Sequence, residues 1–180
     1  GSGSDVFLLA SGAGGNDVAV GGPGFNQLQV LGSNSADTFV VGVLDSKLRL
    51  FRGTATLTIE SQIDNVLVNG LGGDDLFTVN NVASAQVAAQ VVLNGGDGND
   101  ILTALNASLG KIRLELNGNN GSDTITGSLG NDVIGGGNDV DVVNGSAGND
   151  SILGQDGDDL LNGGTGNDTI DGGNGADFLT

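Results

Sequence analysis

Between Gly118 and Thr180 an aspartate recurs every nine residues: Asp123, Asp132, Asp141, Asp150, Asp159, Asp168 and Asp177. Five residues before each stands a glycine, and two residues after each an aliphatic: Ile125, Ile134, Val143, Ile152, Leu161, Ile170 and Leu179. An ionised carboxylate is an acceptor only. In a turn rich in Gly and Asn, backbone carbonyls are free to join it. The result is a set of hard oxygen donors with no nitrogen or sulfur, which suits Ca²⁺ with its six to eight oxygen ligands. Mg²⁺ fits less well, because it keeps its water and demands a strict octahedron. The chain has no Cys and no His, which removes disulfides, thiol catalysis, Cys-type zinc sites and the commonest general base.

The elements that hold these aspartates follow from the spacing. The seven nonapeptides read GNNGSDTIT, GSLGNDVIG, GGNDVDVVN, GSAGNDSIL, GQDGDDLLN, GGTGNDTID and GGNGADFLT. The first six positions are rich in Gly, Asn and Asp, which reach positive φ and make turns. The last three place one aliphatic between two outward residues, a short strand of period two. Two units return the chain to its starting side, so a coil is about 18 residues and successive coils stack as a parallel two-sided solenoid. Asp123, Asp141, Asp159 and Asp177 then share one column, and Asp132, Asp150 and Asp168 the opposite one. Carboxylates stacked ~4.8 Å apart repel by roughly 3–4 kcal/mol at an effective dielectric near 20, so the columns call for a counter-ion.

The motif continues upstream with wider spacing. GGDGNDILT at 95–103 carries Asp100, and GLGGDDLFT at 70–78 carries Asp75 and Phe77. Larger coils with acidic loops on one side only are expected there, giving a first ladder Asp75, Asp100, Asp123, Asp141, Asp159, Asp177 and a second that begins at Asp132. Residues 12–40 hold weaker copies: GAGGNDVAV with Asp17, GGPGFNQLQ with Asn26 in place of Asp, and GSNSADTFV with Ser35 in place of Gly. Asp17 and Asp37 are spaced to pair across one coil. KLRLF, ATLTI and NVLVN in 43–69 read as strands of metal-free coils, with an excursion around 51–56. QVAAQVV at 86–92 reads as strand. The whole chain is expected to be one solenoid domain.

Glycine supplies 35 of 180 residues, against a usual share of about 7%. Of 22 acidic residues only Glu60 and Glu115 are Glu, and the net charge is −17. That balance argues against nucleic acid and anionic membranes as partners, and no apolar run reaches the ~18 residues of a membrane span. From Leu114 onward there is no Lys or Arg, so solvent cations must neutralise the aspartates of that stretch.

The nonapeptide GGxGxDxUx of these units resembles the RTX family, whose Ca²⁺-binding repeats form a right-handed parallel β-roll. GGDGNDILT, GGTGNDTID and GGNGADFLT match it at every position. The resemblance implies an ion held between same-side loops of neighbouring coils, by the two position-6 aspartates and carbonyls of the glycine turn. Carried onto this chain, the site residues are Asp75; Gly95, Gly96, Gly98 and Asp100; Gly118, Gly121 and Asp123; Gly127, Gly130 and Asp132; Gly136 and Asp141; Gly145, Gly148 and Asp150; Gly154, Gly157 and Asp159; Gly163, Gly166 and Asp168; and Gly172, Gly175 and Asp177. Seven same-side pairs give about seven Ca²⁺ ions. GGNDVDVVN departs from the pattern, with Asp139 and Val140 where Gly and a polar residue are expected; its site is either distorted or gains Asp139 as a ligand. The family further implies type I secretion, folding outside the cell on Ca²⁺, and a structural role in an extracellular or cell-surface protein.

Other classes fit less well. A β-helix lyase or epimerase needs a base near neutral pH, and the chain has no His, Tyr or Trp. An ice-binding face needs a regular threonine row, whereas position 3 beside the column Asn131, Asn149, Asn167 is Leu129, Ala147, Thr165. Lys47, Arg49 and Arg52, and the pair Lys111 and Arg113, are candidate contacts for an acidic polysaccharide but read first as ordinary outward strand residues. Asp97, Asp156, Asp158 and Asp171 read as solvated carboxylates. Open solenoid ends allow copies to stack head to tail in a filament or surface layer, or the coils to continue in a longer chain.

Overall fold

The computed structural model describes residues 4–9, 16–20, 24–44, 47–52, 55–61, 64–80, 90–105, 107 and 112–180. The chain enters through β1 (Val6–Leu9), β2 (Asn16–Val20), β3 (Gln27–Ser33), β4 (Thr38–Leu44), β5 (Lys47–Arg52) and β6 (Ala55–Ser61). It continues through β7 (Asn65–Gly72), β8 (Leu76–Val79), β9 (Gln90–Asp97), β10 (Ile101–Thr103), β11 (Arg113–Asn120) and β12 (Thr124–Thr126). It ends with β13 (Asp132–Asn138), β14 (Val142–Asn144), β15 (Ser151–Asp156), β16 (Leu160–Asn162), β17 (Thr169–Asn174) and β18 (Phe178–Leu179). From β7 onward odd-numbered strands build one sheet and even-numbered strands the other, each strand parallel to its neighbours one coil away. This is the parallel β-roll expected from the repeat. Among the described residues no helix is long and apolar enough to cross a membrane.

The register gives the coil lengths. Pairings such as Val133 with Ser151 and Val142 with Leu160 step by one coil in the last third, and the matching loop hydrogen bonds span 18 residues. Upstream the same bonds span 23, 25 and 38 residues. The widest coil contains the one clear departure from the expected pattern. KLRLF and ATLTI are strands, but not of parallel coils: β5 lies antiparallel to both β4 and β6. The meander sits between β4 and β2 in the second sheet, and β2 runs parallel to β6. NVLVN falls in β7, a true coil strand. Most of QVAAQVV lies outside the described residues; its end opens β9.

The alternation along each strand puts one face inward. Val30, Val68, Leu93, Leu116, Ile134 and Ile152 stack in register on one sheet. Phe39, Phe77, Leu102, Ile125, Val143 and Leu161 face them from the other. All twelve are buried. Phe39 and Phe77 stack with ring centroids 5.0 Å apart. A further inward column, Leu28, Val66, Val91 and Leu114, widens the core in the first two thirds. It stops at β13, where the residue in register with Leu114 is Asp132. From there on the core keeps two aliphatic columns, and a carboxylate column takes the place of the third.

Candidate metal loops

The turns from the odd-numbered to the even-numbered strands form one edge of the roll, and the return turns the other. In the regular loops the second and fourth residues take positive φ. The second is Leu71, Gly96, Asn119, Gly137, Ser146, Gln155, Gly164 or Gly173. The fourth is Gly in every case except Asp139. The requirement for glycine at the fourth position is steric as well: a Cβ on Gly98 would collide with the Gly73 carbonyl of the preceding coil. Two left-handed residues curl the loop so that its sixth residue, the aspartate, points back under the first.

There the two carboxylate oxygens have different fates. Oδ1 accepts the backbone N–H of the aspartate one coil earlier: Asp37 to Asp75 at 2.6 Å, Asp75 to Asp100 and Asp100 to Asp123 at 2.7 Å. Asp123 to Asp141 and Asp141 to Asp159 are 2.8 Å, and Asp159 to Asp177 3.0 Å. On the opposite edge Asp132 donates to Asp150 at 2.8 Å and Asp150 to Asp168 at 2.9 Å. Oδ2 of Asp100, Asp123, Asp141, Asp150 and Asp159 is buried without a hydrogen-bond partner. An unsatisfied buried carboxylate oxygen is costly, and here the cost recurs on nearly every coil.

These oxygens converge with carbonyls. A Cβ on Gly118 would collide with Asp123 Oδ2 and stand 2.6 Å from the Gly136 carbonyl of the next coil. The same pair of acceptors flanks Gly70, Gly95, Gly127, Gly136, Gly145 and Gly154. Glycine at the first position therefore leaves room beside two converging oxygens, which a cation, a proton or a hydrogen-bond donor can reconcile. Among the described residues no three carboxylates come together as a metal cluster. Each loop pair would offer carboxylates from successive coils and backbone carbonyls, a donor set that suits Ca²⁺ and fits Mg²⁺ poorly.

The electrostatics agree. Burial pushes the Asp123 carboxyl up to about 7, with the charges of Asp100, Asp141 and Asp139 adding to it. Burial raises Asp132 to about 6, reinforced by the charge of Asp150. Asp141 also rises to about 6 through burial, with Asp159 and Asp139 adding to it. Asp100, Asp150 and Asp159 are raised by the same desolvation, and in each the N–H bond pulls the other way. Without a counter-ion the fold favours protonated aspartate.

The structure brings Asp75, Asp100, Asp123, Asp141, Asp159 and Asp177 into the first column and Asp132, Asp150 and Asp168 into the second, and it adds members. Asp37 heads the first column among the described residues. It does not pair with Asp17, which lies in β2 and is separated from β4 by β5 and β6. A short third ladder occupies the return edge near the start: Asp5 N–H donates to Asn26 Oδ1 at 3.3 Å, and Asn26 N–H to Asp64 Oδ2 at 2.8 Å. Asn26 is fully buried, and its amide donates to the Gly24 carbonyl at 3.1 Å. An uncharged Asn thus makes a rung of the ladder with its own N–H. The Asn at position 6 of GGPGFNQLQ was the available signal; Asp64 carries none in sequence.

Asp97, Asp156 and Asp158 are exposed but do more than meet water. Asn120 donates to Asp97 at 2.7 Å, Asn174 to Asp156 and the Ala176 N–H to Asp158, each at 2.8 Å. They clip neighbouring coils together. Asp171 and Arg113 are exposed. Lys111 lies outside the described residues, as do the side chains of Lys47, Arg49 and Arg52.

The chain matches the RTX calcium-binding nonapeptide repeat in four copies, at residues 11–42, 91–106, 117–152 and 153–180, more than half of its length. It belongs to the RTX calcium-binding repeat family. No individual curated protein matches it. The β-roll, the aspartate columns and the family model agree that this RTX chain is a calcium-binding repeat protein.

Proposed function

We propose that this RTX chain is an extracellular structural module that folds and stacks as Ca²⁺ fills its loops. The observation that carries the reading is the set of five buried aspartate oxygens without partners among the described residues, each facing a glycine carbonyl. Bound Ca²⁺ supplies the positive charge that these paired acceptors lack. The aspartates hold the loop geometry through Oδ1 and present Oδ2 to the ion; the glycines keep the space clear; the aliphatic columns close behind them. The single domain, the secreted location and the type I route are part of the same proposal, resting on the family resemblance.

The test is far-UV circular dichroism of EDTA-stripped protein titrated with Ca²⁺, with Mg²⁺ as control. A coil-to-β transition specific to Ca²⁺ is expected. A full β signal in EDTA at neutral pH would refute the folding switch.

A further inference from the structure

We infer that Ser128 takes the place of an ion: the Asp132/Asp150 pair holds no Ca²⁺, although its sequence is that of a metal loop. The inference rests on the proposed reading of the other loops as Ca²⁺ sites, and it lowers the count at the seven pairs to six.

Asp132 differs from Asp100, Asp123, Asp141, Asp150 and Asp159, whose Oδ2 atoms lack a hydrogen-bond partner. The Ser128 N–H donates to Asp132 Oδ2 at 2.6 Å, and the Ser128 hydroxyl donates to Oδ1 at 2.9 Å. The hydroxyl oxygen in turn accepts the Gly130 N–H at 3.1 Å. Ser128 is 0% and Asp132 2% exposed, so this relay is closed off from water. Both carboxylate oxygens are satisfied, and no orphan is left for a cation. The backbone differs as well. Neither Ser128 nor Gly130 has positive φ, unlike the second and fourth residues of the eight regular loops. The same device recurs at the head of the other column, where Ser33 donates its N–H at 2.7 Å and its hydroxyl at 2.9 Å to Asp37 Oδ2.

Serine at the second position is not sufficient. GSAGND at 145–150 has the pattern of GSLGND at 127–132, yet Ser146 has φ of 79° and its hydroxyl lies 3.2 Å from the Gly127 carbonyl of the preceding coil. Asp150 Oδ2 stays without a partner. The preceding coil makes the difference. Beneath 145–150 lies another glycine loop whose carbonyl takes the hydroxyl. Among the described residues beneath 127–132 is Ala107, whose carbonyl takes the Leu129 N–H at 3.0 Å. Ser128 therefore turns onto its own aspartate. The outcome is a return column whose first rung is set by the protein alone. Asp132 then offers its N–H to Asp150, and the metal-requiring loops close on a preformed end.

Native mass spectrometry in Ca²⁺ counts the ions on the intact chain. Asp141→Asn, shared by two pairs with orphaned oxygens, is expected to lose two ions; Asp150→Asn is expected to lose one. Loss of two ions from Asp150→Asn would overturn the inference while leaving the loops as Ca²⁺ sites. Ser128→Gly creates a consensus loop and is expected to gain one ion; Ser146→Gly is expected to keep the wild-type number. Equal counts for Ser128→Gly and wild type would also overturn it. A wild-type chain that holds no Ca²⁺ would instead overturn the reading of the loops on which the inference rests.

Discussion

Acid should replace calcium as the agent that folds this chain. Asp123 is held at about 7 and Asp132 and Asp141 at about 6 in the fold, against about 3.9 in an unfolded chain. A raised folded pKa means that the folded state binds more protons. Its stabilising effect is complete below pH ~4 and is lost as pH rises through 6 and 7. Each pH unit between the two pKa values is worth about 1.4 kcal/mol, so ionising these three groups at neutral pH opposes folding by about 10 kcal/mol in the limit of full burial. They sit at the loop edge and are coupled, and screening by water there leaves roughly half of that figure, about 5 kcal/mol. This is comparable to the whole stability of a small domain. The assay is far-UV circular dichroism in EDTA between pH 5 and 7.5, with sedimentation to confirm that no aggregate forms. β-structure should grow as the pH falls, without metal. A β signal that is independent of pH, or that grows toward pH 7.5, would refute the argument that buried carboxylate charge keeps the metal-free chain open.

Asp141→Asn should mimic acid: it keeps Oδ1 for the Asp123 N–H, removes a buried charge, and should stabilise the metal-free fold at pH 7 by about 1–2 kcal/mol while lowering the gain from Ca²⁺, both read from urea titrations with and without the ion. Gly118→Ala should abolish Ca²⁺-induced β-structure in its coils, because the Cβ meets Asp123 Oδ2 and the Gly136 carbonyl; Gly130→Ala should be tolerated, since the nearest atom is Ser128 Oγ at 3.7 Å. Phe77→Ala should cost about 3–5 kcal/mol in saturating Ca²⁺, because Phe77 is fully buried against Phe39; a loss below 1 kcal/mol in calorimetry or denaturant titration would mean that the aromatic layer is dispensable.

The sequence alone determined the period, the sheets and the columns. A nonapeptide with Gly, Asp and an aliphatic at fixed places is a local code: turn residues bend, alternating residues pair, and a period of nine can only stack Asp123 on Asp141 and Ile134 on Ile152. Tertiary structure decided what each oxygen meets. GSLGND and GSAGND are near-identical strings, yet Asp132 is satisfied by Ser128 and Asp150 is left with an orphaned oxygen, because the coil beneath offers a glycine carbonyl in one case and Ala107 in the other. The insertion of β5 and β6 between β2 and β4 was equally invisible, since a strand's residues specify its pleat but not which neighbour it joins. Asp37 came to rest on Asp75, 38 residues away, for the same reason. The replacement of Leu114 by Asp132 in one register column, which marks where a hydrophobic core yields to an ionic one, became visible only when the coils were stacked. Local spacing fixes conformation; hydrogen-bond partners and charge neighbours come from the adjacent coil, and a linear string does not name that neighbour once coil lengths vary.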